Sequence, residues 1–234
     1  MSGPLALVGA GEFLPVMAEV DRLLLQATGA RRPRVVVLPT ASYPDGDMVF
    51  RRWAAMGEAH FRALGAEVEA VMVRDSTDAH DPAFAQAVGE ADVVYLSGGS
   101  PGHLLRSLSG TPVWAAARSA NRRGAVLAGC SAGAMVLAGR QLRIRGRAVL
   151  PFRWETALQE APGLAIIPHY DRIPEPYAAI LALSAPRSVT VLGVDEDTAL
   201  VGRDGTWQIH GAGRVTVWRG RHRERLRVGD TFRA

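Results

Sequence analysis

The segment Gly129-Cys-Ser-Ala-Gly133 could carry acyl-transfer chemistry. It has the pattern G-x-S-x-G and follows an apolar run at 124–129, which predicts a buried strand that turns sharply into a helix at Ala132. Flanking glycines permit a strained turn that lifts the serine hydroxyl above the sheet and points the first helix amides at a developing oxyanion. The pattern predicts Ser131 as a nucleophile, and an ordinary strand-to-helix turn is the alternative.

A second glycine segment could complete the oxyanion hole. Gly98 and Gly99 follow the apolar run Asp92–Leu96, which predicts another strand. Ligands bind at the carboxyl ends of strands in open α/β sheets, so we expect this segment to lie near Ser131. The amides of Gly99 and Ala132 would then form a two-donor hole, although a plain loop turn also explains a glycine pair.

The candidate base is His169, because it alone among the six histidines ends an apolar strand, Leu164–Pro168. We expect this strand to end at the same sheet edge as the strand before Ser131, which would bring the imidazole to the serine. His103 follows the glycine loop and could line the same pocket, but it is the weaker candidate.

The acid that would orient the imidazole is less well defined by the sequence. Glu196 follows the predicted strand 189–194 and could reach His169 from the side, so it is preferred. Asp171 and Glu155 remain alternatives. A solvated loop would equally explain an acidic residue at the end of a strand.

The elements that must position these residues alternate between strands and helices as far as Gly139. Short β-branched runs separated by helical segments predict parallel strands joined by crossovers, with both sheet faces covered. After Gly139 the strands are shorter, and the turn at 203–206 predicts an antiparallel hairpin near the C-terminus. The sequence therefore predicts a doubly wound α/β fold, with residues 1–234 forming one domain.

Composition narrows the possible functions. The chain has 234 residues, a formal net charge of +4, and arginine as its only basic residue type apart from histidine. The arginine-rich segment 219–227 lacks interleaved aromatic residues, so it predicts a solvated hairpin edge and not a nucleic-acid contact. The single cysteine, Cys130, points to a reducing compartment and excludes a cysteine-based zinc cluster. No apolar stretch is long enough for a membrane span, and the N-terminus reads as a strand and not as a signal peptide.

The turn Gly9-Ala-Gly11 after the first predicted strand partly matches a dinucleotide-binding pattern. Leu14 stands where the third glycine of that pattern would be, so a glycine turn after an α/β strand is the simpler interpretation. The sequence predicts neither a bound cofactor nor a metal ion.

Five segments together resemble the S51 family of serine peptidases, which includes the aspartyl dipeptidases (peptidase E) and the cyanophycinases. They occur in the family's order and span most of the chain. The segments are Leu38-Pro-Thr-Ala-Ser42, Leu96-Ser-Gly-Gly99, Gly129-Cys-Ser-Ala-Gly133, Pro168-His-Tyr170 and Gly193-Val-Asp-Glu-Asp-Thr-Ala199.

The resemblance implies a three-layer, Rossmann-like sandwich similar to the class I glutamine amidotransferase domain, without a cofactor. It also implies a cytoplasmic homodimer that hydrolyses small acidic peptides, such as dipeptides with an N-terminal Asp. Ser131, His169 and Glu196 would form the triad, and Ser100 and Arg172 would contact the substrate.

Two departures from the family pattern weigh against aspartyl specificity, and they make cyanophycin the less favoured substrate. Arg172 is the only cation in the stretch 171–176, where the family has several arginines, and Ser100 replaces a glutamine of the cyanophycinases. Two alternatives to the peptidase remain open. One is an esterase or amidase with another leaving group, and the other is a non-catalytic binding domain.

Overall fold

The computed structural model describes residues 2–143 and 152–234. Its described helices alternate with strands along the first half of the chain, as the sequence predicts. They are α1 (Ala18–Ala27), α2 (Asp47–Ala63), α3 (Pro82–Gly89), α4 (Pro101–Leu108), α5 (Pro112–Arg122), α6 (Ala132–Leu137) and α7 (Glu175–Leu183). None of these helices combines the length and apolar character needed to cross a membrane.

The strands of the described residues form two sheets. They are β1 (Leu5–Val8), β2 (Arg34–Leu38), β3 (Glu67–Ala70), β4 (Val93–Leu96), β5 (Val126–Cys130), β6 (Ala138–Leu142), β7 (Trp154–Thr156), β8 (Ala161–Ile167), β9 (Thr190–Val194), β10 (Thr198–Arg203), β11 (Thr206–Gly211), β12 (Arg214–Arg219), β13 (His222–Arg227) and β14 (Thr231–Arg233). The first sheet has the order β14-β11-β10-β1-β5-β4-β2-β3, and the second has the order β13-β12-β9-β8-β6-β7.

The first sheet is parallel from β1 through β5, β4 and β2 to β3. Its strands are apolar on both faces because both faces are covered, which is typical of parallel sheets. Val35 and Val37 pack under α1 and α2, whereas Val36 and Leu38 face the opposite core. The α/β class with a mostly parallel central sheet is confirmed.

The second sheet corrects one expectation. The strands before His169 and Glu196, β8 and β9, were expected at the edge of the sheet that carries Ser131, but they pair with each other in the second sheet. Alternation of apolar residues explains their burial: Leu164 and Ile166 face the shared core, while the intervening side chains face α7. That alternation does not encode which sheet a strand joins.

The chain returns from the second sheet to the first through Asp195–Asp197. This segment joins β9 to β10, and β10 then pairs antiparallel with β1. The Gly9 amide, just after β1, donates to the Thr198 carbonyl at 2.8 Å. The carboxyl ends of β1 and β9 therefore lie side by side, although the two strands belong to different sheets.

The C-terminal hairpin is confirmed. β10 and β11 are antiparallel and pair up to Arg203 and Thr206. The two residues between them, Asp204 and Gly205, have φ values of 51° and 78°, as a tight two-residue turn requires. The arginine-rich segment lies on β12 and β13, where most side chains of β13 are exposed, as expected for a solvated edge.

Candidate active site

Ser131 occupies a sharp turn between β5 and α6. Its backbone has φ 49° and ψ −106°, a conformation that non-glycine residues rarely adopt. A methyl group on Gly129 would lie 2.5 Å from the carbonyl carbon of Gly133, and one on Gly133 would lie 2.3 Å from the Leu96 oxygen. Both glycines of the pattern are therefore required by the close approach of strand and helix.

The hydroxyl of Ser131 contacts the imidazole of His169, which in turn contacts Glu196. Ser131 Oγ lies 3.1 Å from His169 Nε2, and His169 Nδ1 lies 2.9 Å from Glu196 Oε1. A carboxylate only accepts hydrogen bonds, so the Nδ1 proton is donated to Glu196. This tautomer leaves Nε2 free to accept the serine proton.

Glu196 is held by two further contacts. Its Oε2 accepts from the Arg172 guanidinium at 2.9 Å, and its backbone amide donates to Asp171 Oδ1 at 2.8 Å. The hydrogen bond from His169, followed by that from Arg172, lowers the pKa of the Glu196 carboxyl below its ordinary value. The carboxylate therefore stays ionised beside the imidazole.

The position of His169 depends on the buried residue that follows it. His169 has left-handed backbone angles, φ 50° and ψ 37°, and turns the chain away from β8. The next side chain, Tyr170, accepts a hydrogen bond on its hydroxyl from Trp218 Nε1 at 2.9 Å. Its ring lies directly on Gly193 of β9, where a methyl group would come within 2.1 Å of the ring. Tyr170 thus fixes the imidazole relative to β9.

A cavity of about 520 Å³ opens beside Ser131. His169 and Glu196 border it on one side, and Arg172 lies at the same side with 71% of its side chain exposed. The wall contributed by the β1 turn and α2 is largely apolar. It includes Leu14, Trp53 and Met56.

Gly99 and Ala132 are placed where oxyanion donors could act. Gly99 borders the cavity and has φ 136°, and a methyl group there would lie 2.4 Å from the Ala41 carbonyl oxygen. Ala132 is the first residue of α6 and directly follows Ser131. Neither amide donates to an acceptor among the described residues.

The other candidates from the sequence lie elsewhere. The Ser100 hydroxyl accepts from the His103 amide at the start of α4, and Ser100 does not border the cavity. His103 Nε2 donates to the Arg74 carbonyl at 2.8 Å. Glu155 accepts from the side chain of Gln141. Asp171, the remaining alternative acid, contacts the backbone of Glu196 instead of the imidazole.

Glu12 is a cavity residue that the sequence patterns did not identify. Its side chain is buried, with 6% of the residue exposed, and it lies between the turn after β1 and the Gly98 loop. Its position in the chain could have identified it, because Glu12 follows β1, the strand next to β5, at the carboxyl end of the sheet. The apolar wall of the cavity carried no sequence signal, because its side chains resemble ordinary partly buried residues.

The two glycines before Glu12 are explained by packing against the Asp195–Asp197 segment. A methyl group on Gly9 would lie 2.1 Å from the Asp195 carbonyl oxygen, and one on Gly11 would lie 2.1 Å from Asp197 Oδ1. This close packing explains the glycines of the partial dinucleotide pattern. Within residues 2–143 and 152–234, no three His, Cys, Asp or Glu side chains are grouped so as to hold a metal ion.

The fold and this site define an α/β protein in which a serine, a histidine and a glutamate are in hydrogen-bond contact, in the spatial order seen in serine hydrolases. Residues 5–210 match the sequence model of peptidase family S51. The chain therefore belongs to peptidase family S51.

Individual proteins and solved structures are similar to this chain. A cyanophycinase of Geminocystis herdmanii (strain PCC 6308) is 25% identical over 221 residues, which cover 90% of this chain and 78% of that protein. The crystal structure of a peptidase from an acI-B1 actinobacterium superposes with a TM-score of 0.89 at 31% identity, over 100% of this chain and 98% of the other. A putative peptidase E of Listeria monocytogenes EGD-e shares the fold, with a TM-score of 0.65 at 17% identity, over 91% of this chain and 100% of that one.

Proposed function

We propose that the protein is a serine peptidase that cleaves small peptides through an acyl-enzyme on Ser131. The observation that carries this proposal is the continuous contact from Ser131 Oγ through His169 to Glu196, at 3.1 Å and 2.9 Å. Both distances lie within hydrogen-bond range, so His169 could accept the proton of Ser131 while Glu196 orients the imidazole. The strained backbone of Ser131 supports the same role, because such strain concentrates at functional sites.

In the first half-reaction, Ser131 Oγ attacks the scissile carbonyl carbon while His169 Nε2 takes the hydroxyl proton. The carbonyl oxygen gains the negative charge, which the Gly99 and Ala132 amides can stabilise; in measured cases one such donor contributes about 3–4 kcal/mol. The C–N bond then breaks, and the leaving amine takes the proton from His169. Glu196 stabilises the transient imidazolium and keeps the Nδ1 proton in place.

In the second half-reaction, water replaces the amine. His169 Nε2 accepts a proton from the water as its oxygen attacks the acyl carbon, and the proton then returns to Ser131 Oγ as the ester bond breaks. The products are an amine and a carboxylic acid, and every group of the enzyme is restored.

The finer proposal concerns the substrate. Family membership supports dipeptides with an N-terminal Asp as the first substrates to test, and Arg172 at the cavity is the residue that could face an acidic group. Its guanidinium already contacts Glu196, so an acidic substrate would have to share this cation. We further propose a cytoplasmic homodimer, and the buried free thiol of Cys130 supports a reducing compartment.

A fluorophosphonate probe tests the nucleophile without requiring the natural substrate. We expect wild-type protein to be labelled at Ser131 and Ser131→Ala to remain unlabelled, as judged by intact-mass and peptide mass spectrometry. Ser100→Ala is the matched control, because it removes a nearby hydroxyl that caps α4 and should leave labelling unchanged. Absence of labelling in the wild type would favour the non-catalytic alternative.

A substrate panel separates the peptidase from the esterase alternative. Asp-X dipeptides should be compared with Ala-X and Leu-X dipeptides and with p-nitrophenyl esters, using Ser131→Ala as the blank. The proposal expects hydrolysis of dipeptides that depends on Ser131. Turnover of esters alone would replace the peptidase with an esterase that uses the same residues.

A further inference from the structure

Glu12 is a buried acid that the proposed reaction does not use. Its Oε1 accepts from the Gly98 amide at 2.8 Å, and its Oε2 accepts from Cys130 Sγ at 2.8 Å. Among the described ion pairs, none involves Glu12. A buried carboxylate without a cation is unfavourable unless hydrogen bonds compensate it, so these two contacts are the ones that make its burial possible.

The thiol contact links Glu12 to the strand that carries the nucleophile. Cys130 is fully buried and directly precedes Ser131. Burial, reinforced by the negative charge of Glu12, raises the pKa of the Cys130 thiol well above its ordinary value. The thiol therefore keeps its proton and can donate it to the carboxylate.

The contact with the Gly98 amide links Glu12 to the loop that carries Gly99, one of the two proposed oxyanion donors. A methyl group built on Gly98 would lie 2.6 Å from Glu12 Oε1 and 3.4 Å from Ser131 Cβ. The space on this side of Gly98 is therefore bordered by both Glu12 and Ser131. On the other side of Gly99, the Ser100 amide donates to the Ala41 carbonyl at 2.7 Å. Gly99, which has a positive φ, thus lies between two residues whose amides are both hydrogen-bonded.

We propose that Glu12 is a positioning residue: it anchors the Gly98 amide so that the next amide, that of Gly99, points at the oxyanion beside Ser131. This inference rests on the proposed function of Ser131. Glu12 acts through the loop and through the end of β5, and the reaction places no substrate atom on it. Its effect should therefore fall on the step in which the oxyanion forms, not on substrate binding.

The first test compares Glu12→Leu and Glu12→Gln with wild type. Leucine removes both acceptors, and we expect fluorophosphonate labelling of Ser131 to slow by about 10²-fold, the typical cost of misplacing or losing an oxyanion donor. Glutamine retains one carbonyl oxygen that can accept from Gly98, so labelling should stay within about tenfold of wild type. With a dipeptide or ester that is turned over, kcat should fall and KM should change little.

Asp21→Asn is the matched control. Asp21 is also a buried acid on the same side of the sheet, but its carboxylate contacts His60 at 2.8 Å and not the glycine loop. Its substitution should leave the labelling rate of folded protein unchanged. The folded fraction of every variant is measured by circular dichroism, so that loss of fold is not counted as loss of rate.

If Glu12→Leu does not fold, the NMR spectrum of Glu12→Gln provides a second test. The Gly98 amide proton, bonded to a carboxylate in the wild type, should resonate downfield and move upfield in Glu12→Gln, where the acceptor is neutral. An unchanged Gly98 resonance would overturn the inference, as would wild-type labelling rates in folded Glu12→Leu. Equal large losses in Glu12→Gln and Glu12→Leu would also overturn it, because the charge and not the acceptor would then matter.

These outcomes are distinct from failure of the proposed function. If wild-type Ser131 is not labelled, the serine-peptidase proposal is refuted and the positioning role is refuted with it. If the wild type is labelled and Glu12→Leu reacts equally fast, only the role of Glu12 is refuted.

Discussion

Replacing Glu196 by glutamine should abolish the base function of His169 while leaving the shape of the site almost unchanged. The reason lies in the second partner of Glu196. The carboxylate accepts from His169 on Oε1 and from Arg172 on Oε2, both at 2.9 Å. A glutamine has one acceptor and one donor at these positions, so it can satisfy only one neighbour as the wild type does.

Arg172 decides which neighbour keeps its acceptor. A guanidinium only donates, so as long as Arg172 keeps its contact, the glutamine oxygen turns toward Arg172 and the NH₂ group toward His169. His169 Nδ1 must then accept a hydrogen bond, which places the ring proton on Nε2, the nitrogen that faces Ser131. In that tautomer the imidazole cannot take the serine proton. A carboxylate-to-amide change with this effect lowers the rate by about 10⁴-fold, or about 5.5 kcal/mol.

The same argument predicts a partial rescue. In Glu196→Gln with Arg172→Met, the competing donor is gone, so the glutamine oxygen can accept from His169 Nδ1 and restore the active tautomer. We expect the double variant to react at least tenfold faster than Glu196→Gln alone. Arg172→Met by itself should cost less than about tenfold, because the His169 contact remains.

The assay is the rate constant for fluorophosphonate labelling of Ser131, measured with excess probe at one pH. Glu155→Gln is the control, since Glu155 contacts Gln141 and lies away from the imidazole. The reasoning is refuted if Glu196→Gln reacts within tenfold of wild type. It is also refuted if adding Arg172→Met slows Glu196→Gln further, because removal of the competing donor should restore reactivity.

Three further predictions concern stability. Gly193→Ala places a methyl group 2.1 Å from the Tyr170 ring. We expect the free energy of unfolding in urea to fall by about 1–3 kcal/mol, and the labelling of Ser131 to slow because His169 shifts. Unchanged values of both would refute the role of Tyr170. In Gly89→Ala the new methyl group would meet only Ala116 Cβ, at 3.7 Å. This substitution should raise the free energy of unfolding by about 0.5–1 kcal/mol and leave the labelling rate of Ser131 unchanged. Burial lowers the pKa of His210 below its ordinary 6.5, so the unfolded chain binds the proton more readily and stability should fall as pH drops below 6.5. Melting temperatures of His210→Gln should show a weaker pH dependence over that range, and an equal dependence would contradict the prediction.

Much of the fold could be predicted because local patterns dominate in the first half of the chain. The apolar runs at 92–96 and 124–129 predicted strands, which the structure has at Val93–Leu96 and Val126–Cys130. Apolar β-branched runs and proline at the start of a helix are strong local signals. The G-x-S-x-G turn was also predictable, since its glycines are required by contacts between neighbouring elements.

The second half was harder to predict because its structure depends on partners distant in sequence. The strands β6, β7 and β14 and the helix α7 were not predicted, and β8 and β9 joined a different sheet. The arginine-rich β13 has little apolar character and forms a strand by pairing with β12. The choice between sheets is decided by packing across the core, which the alternation of residues in one strand does not reveal.

The candidate site depends on the junction between the two sheets, not on the edge of one. Ser131 follows β5 of the first sheet, whereas His169 and Glu196 follow β8 and β9 of the second. The Asp195–Asp197 segment joins the sheets and packs on the β1 turn at distances that admit no side chain on Gly9. Because the segment that carries Glu196 packs on the turn after β1, we expect this glycine turn to help set the distance between the His169–Glu196 pair and Ser131. A substitution such as Gly9→Ala should therefore move the acid and base together, leaving their mutual contact intact while their distance to the nucleophile increases.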